Sequence, residues 1–209
     1  NITNLQPSTT YYVRAYATNS YGTYYGNQVS FTTIMPDGPG GTITDADGNT
    51  YNTIWINGRQ WMKENLRTTK YNNGTNIPNV TDNGTWANLS TPAYCWYNND
   101  IANKPTYGAL YNWYAVETGN LCPTGWHVPS DAEWTALTDY VGGASIAGTK
   151  LKATSGWYSG GNGTDNYGFS ALPGGYRNYN DGAFYLAGNL GYWWSSTELD
   201  ATYAWGRYM

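Results

Sequence analysis

Charge is scarce in this chain: only 11% of its 209 residues are Asp, Glu, Lys or Arg, against about a quarter in an ordinary globular domain. The formal net charge is −4 and the Lys and Arg residues form no cluster or stripe, which argues against nucleic acid as a partner. No apolar run approaches the roughly 20 residues that a membrane-crossing helix needs, so direct membrane insertion is not expected. Histidine occurs once, as His127. A lone imidazole between Trp126 and Val128 reads as structural, because general-base work needs an orienting partner and a nucleophile nearby. Cysteine occurs twice, as Cys95 and Cys122. One disulfide and two buried thiols are both open readings, and no Cys/His spacing fits a zinc site. No enzyme activity is expected from this inventory.

Aromatics are abundant, with 22 Tyr and 11 Trp but only 3 Phe. Tyr and Trp bury apolar area while keeping a polar handle, which suits loop-rich cores and binding surfaces alike. Low charge with many Gly, Asn, Thr and Tyr reads as an extracellular, turn-rich β protein, and the aromatics supply a core that a disordered chain lacks. Tyr11, Val13, Ala15 and Ala17 alternate with Tyr12, Arg14, Tyr16 and Thr18, a strand period. Asn19 to Gly26 supplies a turn, and Val29 and Phe31 mark a second strand. Residues 35–41 carry Pro and Gly without apolar repetition and read as a linker. Asp47-Gly48 and Asn57-Gly58 are hairpin turns, with Ile43, Tyr51, Ile54 and Ile56 on the arms.

Two short helices are expected. Leu110, Trp113, Tyr114 and Glu117 share a helical face over 107–117. Ser130 and Glu133 form a capping box for a second helix that carries Trp134, Leu137 and Val141 and stops at Gly142-Gly143. From Lys150 onward the chain reads as ordered loops, except for a buried strand over 191–197 in which Trp193 and Trp194 point to opposite faces.

Several motifs recur in a fixed order: Trp61-Met62-Lys63-Glu64-Asn65-Leu66, Tyr107-Gly108-Ala109-Leu110-Tyr111-Asn112-Trp113, Cys122-Pro123-Thr124-Gly125-Trp126-His127-Val128-Pro129-Ser130-Asp131-Ala132-Glu133-Trp134, Phe169-Ser170-Ala171-Leu172-Pro173-Gly174-Gly175-Tyr176-Arg177 and Gly191-Tyr192-Trp193-Trp194-Ser195-Ser196-Thr197-Glu198. Together they resemble the Fibrobacter succinogenes major paralogous domain over roughly 42–209. The resemblance implies an α+β, C-type-lectin-like fold with a small twisted antiparallel sheet and long loops, akin to formylglycine-generating enzymes. It also implies a terminal strand that closes the domain, and 42–209 is expected to lack it. The cysteines that serve those enzymes have no counterpart context at Cys95 or Cys122, so fold kinship does not carry the activity over. Residues 1–34, through Leu5-x-Pro7-x-Thr9-x-Tyr11-x-Val13-x-Ala15, resemble the last strands of a fibronectin type III β-sandwich. That resemblance implies that Tyr11 is the corner tyrosine.

Asp45, Asp47 and Asn49 give a partial calcium-loop spacing without the bidentate Glu that completes one. Calcium is thus the one cofactor with any sequence support, and no cofactor is expected. The more suggestive stretch is 177–208. Its Asn178, Tyr179, Asn180, Asp181, Tyr185, Asn189, Asp200 and Tyr203 are the residue types of binding loops, with Tyr as rigid anchor and Asn or Asp as adaptable hydrogen-bonding groups. Some proteins with the resembled domain are similar to targets of diversity-generating retroelements, which randomise this region. The expectation is a bacterial cell-surface or secreted adhesion module that binds a glycan or protein ligand through the loops Tyr176–Asn189 and Glu198–Tyr203. The alternative is a structural module that self-assembles into a surface fibre.

Overall fold

The computed structural model describes residues 2–200 and 203–209. At the N-terminus the alternating tyrosines form one long hairpin, each arm interrupted once. Strand β1 (Thr10–Val13) pairs with β4 (Val29–Thr32), and β2 (Tyr16–Asn19) with β3 (Gly22–Tyr25). The turn is therefore shorter than the expected 19–26. Asn19 Oδ1 accepts the Tyr21 N–H at 2.8 Å, and this Asx turn lets the chain return to strand by Gly22. Tyr11 stacks on Phe31 with centroids 5.9 Å apart, and Gln6 N–H donates to the Tyr11 hydroxyl at 2.8 Å.

Strands β5 (Gly38–Thr44), β6 (Thr50–Ile56) and β7 (Arg59–Met62) form a three-stranded antiparallel sheet. Both expected turns join them. The first hairpin closes on Thr44↔Thr50 around Asp47-Gly48, and the second on Ile56↔Arg59 around Asn57-Gly58. Strand β5 starts within the stretch expected as linker, with a bulge between Pro39 and Gly41. Gln60 holds it there by donating to the Gly40 carbonyl at 2.7 Å.

The middle of the chain is short pieces: α1 (Asn83–Ala87), β8 (Tyr94–Cys95), α2 (Lys104–Tyr107), β9 (Leu110–Tyr111) and α3 (Trp113–Val116). The single helix expected over 107–117 is not formed. Gly108 sits at φ +71 beside the Leu66 carbonyl, a conformation open to glycine and strained for other residues. Ala109 N–H then bonds Leu66 O at 2.9 Å, and Leu110–Tyr111 pairs with β8. Helix restarts only where the Asn112 side chain accepts from Ala115 N–H.

Helix α4 (Asp131–Tyr140) has the expected capping box, with Ser130 and Glu133 bonded reciprocally. It is followed by α5 (Ala144–Leu151), a helix beyond the two expected, whose last two residues fall in the stretch expected as loop from Lys150. Gly142-Gly143 stops α4 but only reorients the chain, and Ala147 and Leu151 of α5 pack into the same core as Val141. The C-terminal part holds two hairpins, β10 (Tyr176–Arg177) with β11 (Phe184–Tyr185), and β12 (Tyr192–Glu198) with β13 (Ala204–Tyr208). A single parallel bridge, Gly175↔Gly191, links them. Among the described residues, then, five short α-helices and several two- or three-stranded sheets make up an α+β architecture, rather than two helices and one sheet.

The principal core joins Ile54, Ile56 and Trp61 of the sheet to Trp134 and Leu137 of α4 and to Val141 at its C-terminal cap, with Phe169 closing it. Trp61 lies 5.1 Å from Trp134 and 5.9 Å from Phe169, centroid to centroid. A second cluster gathers Tyr71, Ile77, Tyr94 and Trp96, and a third Trp86, Ala93 and Cys95. Strand β12 is not the buried strand expected. Only Ser195 is fully buried in it, while Tyr192 and Trp194 reach solvent. The opposite-face reading of its tryptophans does hold: Trp193 packs on the principal core, and Trp194 leans on Trp113 at 5.7 Å.

Candidate functional site

The two C-terminal hairpins place one tyrosine on each of four strands. Tyr176 and Tyr185 are direct cross-strand partners, as are Tyr192 and Tyr208. The Gly175↔Gly191 bridge then sets Tyr176 beside Tyr192. The result is a continuous row, Tyr185–Tyr176–Tyr192–Tyr208, with successive centroids 5.6, 4.8 and 5.8 Å apart. Such cross-strand aromatic contacts stabilise small sheets. Three of the four rings are still exposed, Tyr208 to 70%. The row therefore offers exposed aromatic surface along three of its four residues.

The loop between β10 and β11 is built by its own side chains. Asn178 Oδ1 accepts Asn180 N–H at 2.7 Å, and Asp181 Oδ1 accepts Ala183 N–H at 2.9 Å. The Tyr185 hydroxyl donates to Asp181 Oδ2 at 2.7 Å. The Ala183 amide, then the Tyr185 hydroxyl, hold the Asp181 carboxyl below its ordinary range, and the same carboxylate pushes the Tyr185 hydroxyl up. Gly182, at φ +67, lies so close to the Asn83 backbone that a Cβ would clash.

Beneath this loop Arg177 is buried. Its guanidinium donates to the carbonyls of Gly182, Val80 and Thr81 and to Asn83 Oδ1. It sits over the rings of Trp86 and Phe184, at 4.4 and 4.7 Å from their centroids.

Of the residues singled out in the sequence, Asn178, Tyr179, Asn180 and Asp181 come together on this one loop with Tyr185 on the adjoining strand β11, and Tyr179 is 66% exposed at the loop tip. Asn189 is exposed in the turn after β11, where its N–H bonds Leu186 O. Asp200 and Tyr203 lie elsewhere, beyond the far end of β12. The six steps from Tyr192 to Glu198 span roughly 20 Å of strand. There Asp200 Oδ1 accepts the Tyr203 N–H, and Tyr203 is exposed. Ala201 and Thr202 of the expected 198–203 loop lie outside the described residues. Tyr176, Tyr192 and Tyr208 were missed as site residues. Two of them follow a glycine that makes the bridge, but nothing local in the sequence says which strands will be neighbours.

The other chemistry-bearing residues have structural partners. Asp45 accepts from the Asp47 and Asn49 amides, the Asn49 side chain and the Tyr51 hydroxyl. Asp47 accepts from Thr69 and pairs with Lys70 at 3.3 Å. These carboxylates tie the hairpin turn to the segment after β7. Cys95 and Cys122 are both buried free thiols, so of the two open readings the structure has the unbridged one. Burial pushes Cys95 up to about 11 and Cys122 up to about 12, which suppresses the reactive thiolate. His127 is exposed and bonds Glu133 through Nε2 at 2.9 Å.

No helix among the described residues is long and apolar enough to cross a membrane. Residues 54–209 match the family model of the Fibrobacter succinogenes major domain. Neither curated proteins nor solved structures gave a match.

Proposed function

The chain belongs to the Fibrobacter succinogenes major domain family over residues 54–209, and from that membership we propose that it is a bacterial cell-surface or secreted module that binds a glycan or protein ligand. The observation that carries this reading is the exposed tyrosine row continuing into the Tyr179–Asp181 loop. Rigid amphipathic rings beside short polar side chains are what binding surfaces use. Fixing the loop on Arg177 lowers the ordering cost of recognition. Binding is preferred to catalysis because both thiols are buried and held protonated. The mixed helices, small antiparallel sheets and long loops are compatible with a C-type-lectin-like domain. The Gln6–Tyr11 hydrogen bond supports reading the N-terminal hairpin as the end of a fibronectin type III sandwich, whose corner tyrosine makes such a contact.

The direct test is a glycan array and a capture assay against surface proteins of a co-resident bacterium, repeated with Tyr179→Ala/Tyr185→Ala. The reading expects loss of binding of at least about tenfold with little change in Tm. Unchanged binding would remove those loops from the interface.

One feature favours the fibre alternative. Tyr12, Tyr16, Tyr24, Tyr25 and Val29 of the N-terminal hairpin are each more than 60% exposed, the kind of apolar surface that packs on a neighbouring module. A fibre component would assemble reversibly with concentration in analytical ultracentrifugation, and a strict monomer of the native protein would count against it.

A further inference from the structure

A second cleft lies on another part of the domain, between the start of β7 and the N-terminus of α4. Arg59, Trp61, Trp126, His127 and Glu133 line it. We propose that this cleft binds one carboxylate-bearing sugar ring, a hexuronate, independently of the tyrosine row. Its volume is about 210 Å³, below the usual range of drug-sized sites and suited to a single ring rather than an oligomer.

Glu133 organises the cleft without being its open group. Its carboxylate, shielded to 15% exposure, accepts from Arg59 Nη1 at 2.5 Å, from His127 Nε2 at 2.9 Å and from the backbone and side chain of Ser130. Arg59 is thus held by one nitrogen while its side chain is 55% exposed. Among the described residues, the rest of its guanidinium has no protein acceptor. A planar fork with one edge fixed and the other open matches the geometry of a carboxylate. His127 is likewise fixed through Nε2, which leaves Nδ1 without a protein partner among the described residues.

The cleft walls point to a sugar rather than a bare acid. The Trp126 indole, half-buried, gives an apolar surface for the C–H face of a ring. Trp61 is only 7% exposed, yet its indole N–H has no acceptor. Trp134, which packs on Trp61, donates its own indole N–H to the Trp194 carbonyl. The Trp61 N–H is closed off from solvent, so it reports on a ring seated in the cleft, which Trp61 lines, rather than bonding to it.

The test follows the indole N–H signals of Trp61 and Trp126 by NMR in the full chain, with galacturonate, galactose and acetate added separately. The expected result is a saturable shift of both signals with galacturonate only, weakened at least about tenfold by Arg59→Gln and by Trp126→Ala. No saturable shift with galacturonate overturns the site. An equal response to galactose overturns recognition of the carboxylate, and an equal response to acetate overturns recognition of the ring. If Arg59→Gln fails to fold, the three-ligand comparison on the unaltered chain still decides. Tyr179→Ala/Tyr185→Ala should leave these shifts unchanged, which separates this cleft from the tyrosine row.

Discussion

The Arg177 guanidinium lies 4.4 Å from the centroid of the Trp86 ring, joining two segments more than ninety positions apart in the chain. A buried cation is costly unless its donors are satisfied. Here four oxygens and two aromatic faces satisfy it. Arg177→Leu should therefore destabilise the domain by about 2–4 kcal/mol, because buried carbonyls lose their donors. Arg177→Lys should recover little of this, since a single ammonium cannot reproduce the fork. Urea denaturation checks both, and a midpoint within experimental scatter of the parent would contradict the clamp.

The Tyr185–Asp181 hydrogen bond is solvent-exposed and belongs to the loop rather than to the core. Tyr185→Phe should raise the Asp181 carboxyl toward its ordinary value of 3.8 and leave Tm nearly unchanged. The backbone contribution from Ala183 should remain. Carbon-detected NMR titration of Asp181 reads the effect, and a midpoint that stays put would mean that the hydroxyl is not a donor in solution.

Both thiols have folded pKa values above the ordinary 9.0, at about 11 for Cys95 and about 12 for Cys122. Above pH 9 the unfolded chain loses these protons while the folded chain keeps them. Stability is thus fully present below pH 9 and falls as pH rises through the folded values, at most by about 1.4 kcal/mol per pH unit per thiol. A Cys95→Ala/Cys122→Ala variant should show a shallower alkaline decline from pH 9 to 11, measured by urea midpoints. The native thiols should also resist iodoacetamide at pH 8, and rapid labelling there would refute their burial.

The capping box at α4 offers a local test. Ser130→Ala removes the side chain that accepts from Glu133 N–H and should cost about 1 kcal/mol, with Ser130→Thr much closer to the parent. Equal stability of the Ala and Thr variants would indicate that the cap contributes nothing.

Much of the local structure was legible because it depends on neighbours in sequence. The Asp47-Gly48 and Asn57-Gly58 turns, the α4 cap and the face carrying Trp134, Leu137 and Val141 all follow from spacings of a few residues. The 107–117 helix failed for the opposite reason. Its apolar spacing is helical, but the Leu66 carbonyl and the β8 strand, both distant in sequence, claim the backbone of Ala109–Tyr111. Helix α5 was overlooked because a double glycine ends one helix without forbidding the next.

The sequence by itself determined the family, the turn positions and the loop composition in which Asn178, Tyr179, Asn180, Asp181 and Tyr185 stand. Those are properties of residue order and local backbone preference. Only the tertiary structure decided that Tyr176, Tyr185, Tyr192 and Tyr208 form one row, that Asp200 and Tyr203 lie at the other end of β12, and that Arg177 is the buried clamp. The row depends on which strands become neighbours and the clamp on which distant segments pack together, and no single segment sets either.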